Sequence, residues 1–358
     1  MSQFRCRRME RTDEEAFNAI FNGFPTVAPR TLDTMRHVWH EGPGGPVLSW
    51  VIEARQSDHD WQLVGHHGLC PIRYTLGGTD LVLAKTVNTF LLPEYRGKFV
   101  YPRFELRCLA EAEQMIDASF SVAPKAERLR AALGYQTDIR MLHLECGLQS
   151  PRFVSRVLPR LARRYPRVLL PALARLWNAI PVPKAPFALD VLDSDRARTA
   201  PFFDDFWEQA RPLAGLAPRR DKADLDWRFW RDGGEQRTTL TYCWQNGARA
   251  YCIVRHGNPF IFELQDIFLT TVNAALLQQF LNAIFSWCAE RGALMLTFWT
   301  SEDGQPPELL DVFRRNMAAS LSRRFRDNRM SRRLTARGRG RIGADWPPFN
   351  FTVIATPA

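Results

Sequence analysis

Several familiar sequence signals are missing from this chain of 358 residues. Its seven cysteines are scattered, with no C-x-x-C pair and no cysteine–histidine cluster, so neither a metal site nor a disulfide framework is expected. No run of about 18 apolar residues occurs, which argues against a membrane-spanning helix. The absence of a G-x-S-x-G elbow and of a P-loop argues against a serine hydrolase and a P-loop nucleotide site.

Acidic residues are missing from one long stretch. Residues 146–189 contain no Asp or Glu but eight Arg or Lys, and residues 323–341 contain nine Arg against one acid, Asp327. The net charge is +10. Such blocks attract phosphate-rich partners such as nucleic acid, an anionic membrane or a phosphorylated ligand, although a solvated basic surface explains them equally well. The N-terminal residues are charged and lack an apolar signal core, which together with the scattered cysteines predicts a cytoplasmic protein.

The order of apolar patterns predicts an α+β protein with two similar halves. Each half shows antiparallel strands followed by strand, loop, helix, strand and helix. Gly77-Gly78 and Asn246-Gly247 lie between apolar strands and predict tight hairpins, one in each half. We expect an N-terminal lobe at 1–149, a basic amphipathic connector at 150–199 and a C-terminal lobe at 200–358, each lobe a mixed, mostly antiparallel sheet flanked by helices.

The run VNTFLLPEYRGK, followed by a helix, a strand and SVAPKAERLRAALGY, resembles the GCN5-related N-acetyltransferase (GNAT) superfamily. The resemblance covers about residues 1–145, and DWRFWRD with the strand–helix–strand at 261–299 looks like the second lobe of tandem GNAT proteins. It implies an acyl-CoA co-substrate, with acetyl-CoA or a longer chain as the donor. The pantetheine arm would lie between two splayed strands, and the pyrophosphate would lie at a helix N-terminus.

The resemblance also implies which residues bind the donor. Leu91 and Leu92 would border the pantetheine. Arg130 occupies the position where the family often has the tyrosine that protonates the leaving thiolate. The pyrophosphate loop would comprise Arg96, Gly97, Lys98, Phe99, Val100 and Tyr101. Phe99 and Tyr101 depart from the family pattern, because small residues are usual at both positions.

Four residues are candidates for the chemistry. His66 and His67 lie on the third strand, where neighbours point to opposite faces, so one of them would face the cleft as a general base. Asn88 could orient a water or the acceptor, and Tyr101 could supply the hydroxyl that protonates the leaving thiolate. The second lobe has no comparable loop, and its Glu263 and Asp266 are weaker candidates for binding the acceptor.

These patterns leave two functions open. The first is an acyl-CoA-dependent N-acyltransferase acting on a primary amine, such as a lipid or an amino sugar. Residues 152–184 would then hold the enzyme on the inner face of an anionic membrane. The second is a non-catalytic or aminoacyl-tRNA-dependent relative that binds RNA through its basic segments. Clear RNA-binding modules are lacking, which favours the first.

Overall fold

The computed structural model describes residues 3–25, 29–97, 100–121, 127–148, 185–231, 236–257, 260–301, 306–316, 318–319 and 329–342. Its strands are β1 (Phe4–Arg8), β2 (Leu48–Arg55), β3 (Trp61–Leu76), β4 (Thr79–Leu91), β5 (Ala118–Ser121), β6 (Gln136–Gly147), β7 (Asp190–Leu192), β8 (Ala217–Pro218), β9 (Arg237–Cys243), β10 (Arg249–Arg255), β11 (Ile261–Leu269), β12 (Met295–Ser301), β13 (Ala318–Ala319) and β14 (Arg329–Leu334).

The described helices flank these strands. They are α1 (Glu14–Asn22), α2 (Leu32–His40), α3 (Val100–Ala112), α4 (Glu127–Ala132), α5 (Ser194–Thr199), α6 (Phe206–Ala210), α7 (Lys222–Leu225), α8 (Ala274–Glu290), α9 (Pro307–Asn316) and α10 (Ala336–Ile342). The predicted hairpins are confirmed, since Gly77, Gly78 and Gly247 all adopt positive φ between antiparallel strands. Glycine is suited to these turns because it has no side chain to clash at positive φ.

Two sheets form the frame. The first has the order β1-β2-β3-β4-β5-β14-β6, and the second has the order β6-β12-β11-β10-β9-β7. Among the pairs that join these strands, β4–β5 and β11–β12 are parallel and the others antiparallel. The predicted fold class, α+β with two mixed, mostly antiparallel sheets flanked by helices, is confirmed.

The two sheets share chain segments. β14 lies between β5 and β6 in the first sheet, although it comes from the C-terminal part of the sequence. β6 pairs with β14 through residues 136–140 and with β12 through residues 141–147. A division into sequence-continuous lobes is therefore a simplification, and the connector expected at 150–199 is described only from residue 185 onward.

Helices cover both faces of the first sheet. On one face α1 and α2 pack Phe17, Met35 and Trp39 against Phe90 of β4. On the other face α3 and the turn after α4 pack Cys108, Leu109 and Leu133 against Trp50, Leu69 and Ala84. Near His66, His67 and Phe90, a side chain of β3 or β4 therefore faces either the α1–α2 layer or the α3–α4 layer.

A bulge interrupts β4 where the two parallel strands part. His66 pairs with Phe90 and Gly68 with Val87, so β4 has one residue more than β3 over this interval. Asn88 takes up the extra length in a left-handed conformation, with φ of 51°. Gly68 permits the close approach, because a Cβ there would lie 2.9 Å from the Val87 carbonyl oxygen. The pairing between β4 and β5 covers Leu83 to Lys85 and ends before this bulge.

The second lobe contains a bulge of the same kind. Ile253 pairs with Asp266 and Val254 with Leu264, which leaves Gln265 as an extra residue in β11. The parallel pairing between β11 and β12 covers Ile261 to Leu264 and then ends. Both sheets thus open at the carboxyl end of a bulged strand.

Candidate functional site

The opening between β4 and β5 exposes one edge of β4. From Thr86 to Leu91, β4 pairs with β3 on one side, and no strand of the described residues pairs with its other side. An unpaired strand edge presents backbone N–H and C=O groups in a row. An extended amide chain can satisfy those groups in the manner of an added strand.

A helix begins beside the same edge. The chain leaves β4 through a short turn at Pro93–Tyr95, passes Gly97 at φ of +81°, and starts α3 at Val100. The first N–H groups of a helix lack acceptors within it, so they attract anions. Phe99, the residue before α3, has no polar side-chain atom that could cap them. Lys98 and Phe99 lie outside the described residues, so their predicted contacts with a pyrophosphate stay predictions.

Tyr101 does not obstruct this helix end. It lies in the first turn of α3, packs against the cluster formed by Ile52, Val64 and Leu91, and places its hydroxyl 2.7 Å from His67 Nδ1. The bulk that departs from the family pattern is thus turned toward the sheet. Arg96 also folds back, because its Nε donates to the Leu91 carbonyl at 2.9 Å.

In the second lobe the corresponding helix start, that of α8, is capped by a side chain. Asn273 precedes α8, and its Oδ1 accepts from the N–H groups of Ala275 at 3.0 Å and Leu276 at 3.1 Å. Between β11, α8 and α9 lies a cavity of about 40 Å³, lined mainly by apolar side chains such as Ile267 and Leu309. The start of α8 is thus capped by a side chain, whereas the residue before α3, Phe99, has no side-chain acceptor.

The two neighbouring histidines face opposite layers, as strand geometry predicts. His66 lies on the α1–α2 side, 4.4 Å from the Phe17 ring and stacked on Trp39 at 5.3 Å between ring centroids. His67 lies on the α3–α4 side, near Trp50 and Tyr101. Both are fully buried.

Hydrogen bonds occupy both nitrogens of His66. The Asn88 carbonyl oxygen, 2.8 Å from Nδ1, can only accept, so Nδ1 carries the proton and donates. Nε2 then accepts from the Ser49 hydroxyl at 2.5 Å. Burial is the main cause that lowers the pKa of His66 to about 3. The hydrogen bond from His66 thus holds the backbone carbonyl of the bulged residue, Asn88, in place.

His67 keeps one nitrogen without a partner. Nδ1 contacts the Tyr101 hydroxyl and, at 3.3 Å, Thr89 Oγ1, whereas Nε2 is buried and has no partner among the described residues. Burial and then the charge of Arg130 hold the pKa of His67 well below its ordinary value. The imidazole is therefore neutral at pH 7.

A buried ion pair lies beneath the histidine. Arg130 of α4 donates to Glu105 Oε1, which also accepts from the Tyr135 hydroxyl at 3.2 Å. Glu105 is completely buried, and its Oε2 and the Arg130 Nε have no partner among the described residues. Thr86 Oγ1, on the unpaired stretch of β4, is a further buried atom without a partner. These atoms lie on elements that surround the open edge, although other buried polar atoms without a partner occur elsewhere in the described residues, such as Trp207 Nε1 and Trp287 Nε1.

Glu105 is a site residue that sequence reasoning missed. Tyr101, Glu105 and Cys108 recur at helical spacing and share the inner face of α3, so this spacing was the available signal. Of the other candidates, Leu91 is buried and Leu92 partly buried beside Val100. In the second lobe Glu263 pairs with Arg255, and Asp266 pairs with Arg220 and accepts from Tyr251 at 2.5 Å.

Asn88 connects the open edge with the α1–α2 layer. Its backbone carbonyl faces His66, and its amide is assigned with the oxygen toward two donors, Arg30 Nη1 at 3.1 Å and Trp39 Nε1 at 3.3 Å. The predicted site residues at 66, 67, 88, 91, 96, 97, 101 and 130 are thus brought to one end of the first sheet.

Comparisons with known proteins relate this fold to acyltransferases. No family model matches the sequence, and no curated protein has a significantly similar sequence. Solved structures do match. A conserved protein of Enterococcus faecalis, described as a probable N-acyltransferase, has a TM-score of 0.61 at 14% identity over 94% of this chain and 74% of that chain.

Two further structures cover the chain equally well. A GCN5-related N-acetyltransferase from Anabaena variabilis has a TM-score of 0.62 at 14% identity, over 93% of this chain and 73% of that one. The N-myristoyltransferase of Saccharomyces cerevisiae with bound myristoyl-CoA has a TM-score of 0.54 at 10% identity, over 94% and 83%. At such identities the likeness shows the fold.

Proposed function

From the premise that the chain has the tandem GNAT fold, we propose that it transfers an acyl group from an acyl-CoA thioester to a primary amine. The first lobe holds the donor. The observation that carries this proposal is the open edge of β4 beside the start of α3, because it joins a groove for an amide chain to a helix N-terminus that favours anions.

The residues present fit such a donor. The edge from Thr86 to Leu91 offers backbone groups to the pantetheine amides, and the α3 N-terminus with Gly97 offers N–H groups to the pyrophosphate. The acyl-CoA supplies an activated carbonyl and a thiolate leaving group. The chain has to hold both substrates, exclude water and supply a proton to the thiolate.

Tyr101 is the proposed proton donor. Burial raises the pKa of its hydroxyl, so it stays protonated at pH 7. If His67 Nδ1–H donates to the Tyr101 oxygen, the tyrosine proton is free to point into the groove. Neither imidazole is basic enough to store a proton from an ammonium group. His67 therefore orients Tyr101, and the acceptor amine loses its proton through water.

The acceptor could be a lipid amine or an amino sugar held at a membrane. Residues 152–184, which carry that part of the proposal, lie outside the described residues. Within the described part of the chain, no helix is both long and apolar enough to cross a bilayer. The membrane-bound acceptor thus rests on the sequence pattern alone.

RNA binding is less well supported. In the C-terminal basic block, the described Arg337 and Arg341 both pair with the buried Asp117. An arginine committed to an internal carboxylate adds little to a surface for phosphates. We therefore keep the acyltransferase as the proposed function.

A thermal-shift titration with coenzyme A, acetyl-CoA and myristoyl-CoA tests the donor site, and an amine-dependent release of free thiol tests the transfer. Stabilisation by at least one thioester together with thiol release is expected. The absence of both for every donor would overturn the proposal.

A further inference from the structure

Arg30 is a cation fixed in place between α1 and α2. Its backbone N–H donates to Asn22 Oδ1 at 3.1 Å, and its Nε donates to Asn18 Oδ1 at 3.3 Å. The guanidinium lies over the Phe21 ring at 4.4 Å and within 6 Å of the rings of Phe17 and Trp39. These contacts orient the guanidinium, but none of them carries a negative charge.

No carboxylate of the described residues pairs with this guanidinium. Its Nη2 is buried and has no hydrogen-bond acceptor there. Burial lowers the pKa of Arg30 to about 10, so the group remains charged at pH 7. By contrast, the buried Arg130 has Glu105 and the buried Arg220 has Asp266. Arg30 is only partly buried, so a ligand can reach it, and a guanidinium held in place without a carboxylate can bind an oxyanion.

The position of Arg30 indicates which of the two substrates would carry that anion. Nη1 donates to the Asn88 side chain, and Asn88 is the bulged residue on the open edge of β4. Arg30 therefore lies one side chain away from the groove, on the face covered by α1 and α2. The start of α3, which fits the phosphates of the donor, belongs to the helix layer on the opposite face.

We propose that Arg30 binds an oxyanion of the acceptor, so that the acceptor is an amine bearing a carboxylate or a phosphate. This inference rests on the proposed function for the identity of the ligand. A guanidinium presents parallel N–H groups that match either oxyanion, and the aromatic rings around it restrict hydration. Asn88 links this subsite to the bulge, so a bound acceptor would meet the donor groove at the same residue.

Paired acceptors test the proposal. With acetyl-CoA or the best donor, β-alanine is compared with β-alaninamide, and phosphoethanolamine with ethanolamine. The wild type should show at least a tenfold higher kcat/KM for the anionic member of one pair or both, and the preferred pair identifies carboxylate or phosphate. Arg30→Gln should remove that preference, measured as the ratio of kcat/KM for the two members of each pair within the same variant.

A matched control is Arg36→Gln, because Arg36 lies on α2 and pairs with Glu14. It should keep the preference. Arg30→Lys keeps the positive charge but not the parallel N–H donors of the guanidinium. It should therefore keep part of the preference for the anionic acceptor. Equal use of anionic and neutral amines by the wild type, or an unchanged preference in Arg30→Gln, would overturn the proposal.

A binding measurement separates this inference from the proposed function. At constant ionic strength, inorganic phosphate or propionate should raise the melting temperature of the wild type more than that of Arg30→Gln, while the shift caused by coenzyme A should be the same in both. Failure of coenzyme A to bind would count against the acyltransferase alone. Equal anion shifts in the two proteins would count against the Arg30 subsite alone.

Discussion

The Tyr101 hydroxyl lies 2.7 Å from Nδ1 of the buried His67, and this contact joins the first turn of α3 to the bulged region of the sheet. It turns the tyrosine away from the helix start and toward the open edge of β4. The same contact fixes the only polar atom of Tyr101's side chain beside the place where a thioester would lie.

Replacing Tyr101 by Phe should reduce turnover without weakening donor binding. General-acid catalysis contributes about 10²–10⁴-fold, so kcat should fall by about 10²-fold or more, while the coenzyme A dissociation constant changes by less than about threefold. Tyr95→Phe is the matched control, since its hydroxyl accepts from Gln56 at 3.2 Å on the surface. Stopped-flow thiol release and calorimetry would measure the two quantities. An unchanged kcat would show that Tyr101 is not the proton donor.

Gly97→Val should abolish coenzyme A binding. Gly97 has φ of +81°, which a β-branched residue adopts only with strain. Gly247→Val is a close control, because Gly247 has φ of +83° and at both sites a Cβ would meet no atom within 4 Å. Each variant should lose about 1–3 kcal/mol of unfolding free energy. Only Gly97→Val should lose the thermal shift caused by coenzyme A. A retained shift would show that this turn does not contribute to coenzyme A binding.

Breaking the Glu105–Arg130 pair should destabilise the first lobe strongly. Glu105→Gln leaves a buried arginine uncompensated, which costs about 3–5 kcal/mol of unfolding free energy. The double variant with Arg130→Met should be less destabilised than the sum of the single variants. On the same helix Arg107→Gln serves as the control, because it breaks the exposed pair Arg107–Glu111, at 3.1 Å, and leaves Glu111 to accept from Trp50; this loss should cost at most about 1 kcal/mol. Additive single effects in urea denaturation would contradict this coupling.

Stability should fall below pH 6.5 because of the two buried histidines. The folded-state pKa of His66 is lowered to about 3 and that of His67 lies well below its ordinary value, so the unfolded state binds protons that the folded state does not. Their contribution is present above pH 6.5 and is lost as pH decreases, by about 2 kcal/mol for His66 at pH 5.

The comparison of His67→Gln with the wild type isolates one of these contributions. The difference in unfolding free energy between the two proteins should shrink as pH falls from 7 to 5. Asp224 acts in the opposite direction, because burial raises its pKa to about 7 and its folded state gains protons as pH falls. A difference that stays constant with pH would show that His67 has the same pKa in the folded protein as in the unfolded chain.

Local sequence signals located many elements. The sequence predicts a helix from about Leu32 to His40, ended by the run from Gly42 to Gly45, and this is the extent of α2. The helix predicted from about Asn273 to Arg291 is observed as α8, with Asn273 as its cap. These signals act within one helical turn or one hairpin, so the sequence alone is enough to recognise them.

Other features depend on contacts between distant segments. The bulges at Asn88 and Gln265 arise from register differences against β3 and β10, which the sequence of one strand does not reveal. Insertion of β14 between β5 and β6 joins residues about 200 positions apart. The pairing of Glu105 with Arg130 and the lack of a carboxylate beside Arg30 are likewise tertiary.

By itself, the sequence determined the α+β class, the repeated architecture and the turn at Arg96-Gly97, because hydrophobic periodicity and glycine chemistry are local properties. Only the tertiary structure decided which face each histidine occupies, where Tyr101 points and which buried charges have partners. Burial and hydrogen-bond satisfaction depend on every segment packed around a side chain, and the chain has to fold before those segments meet.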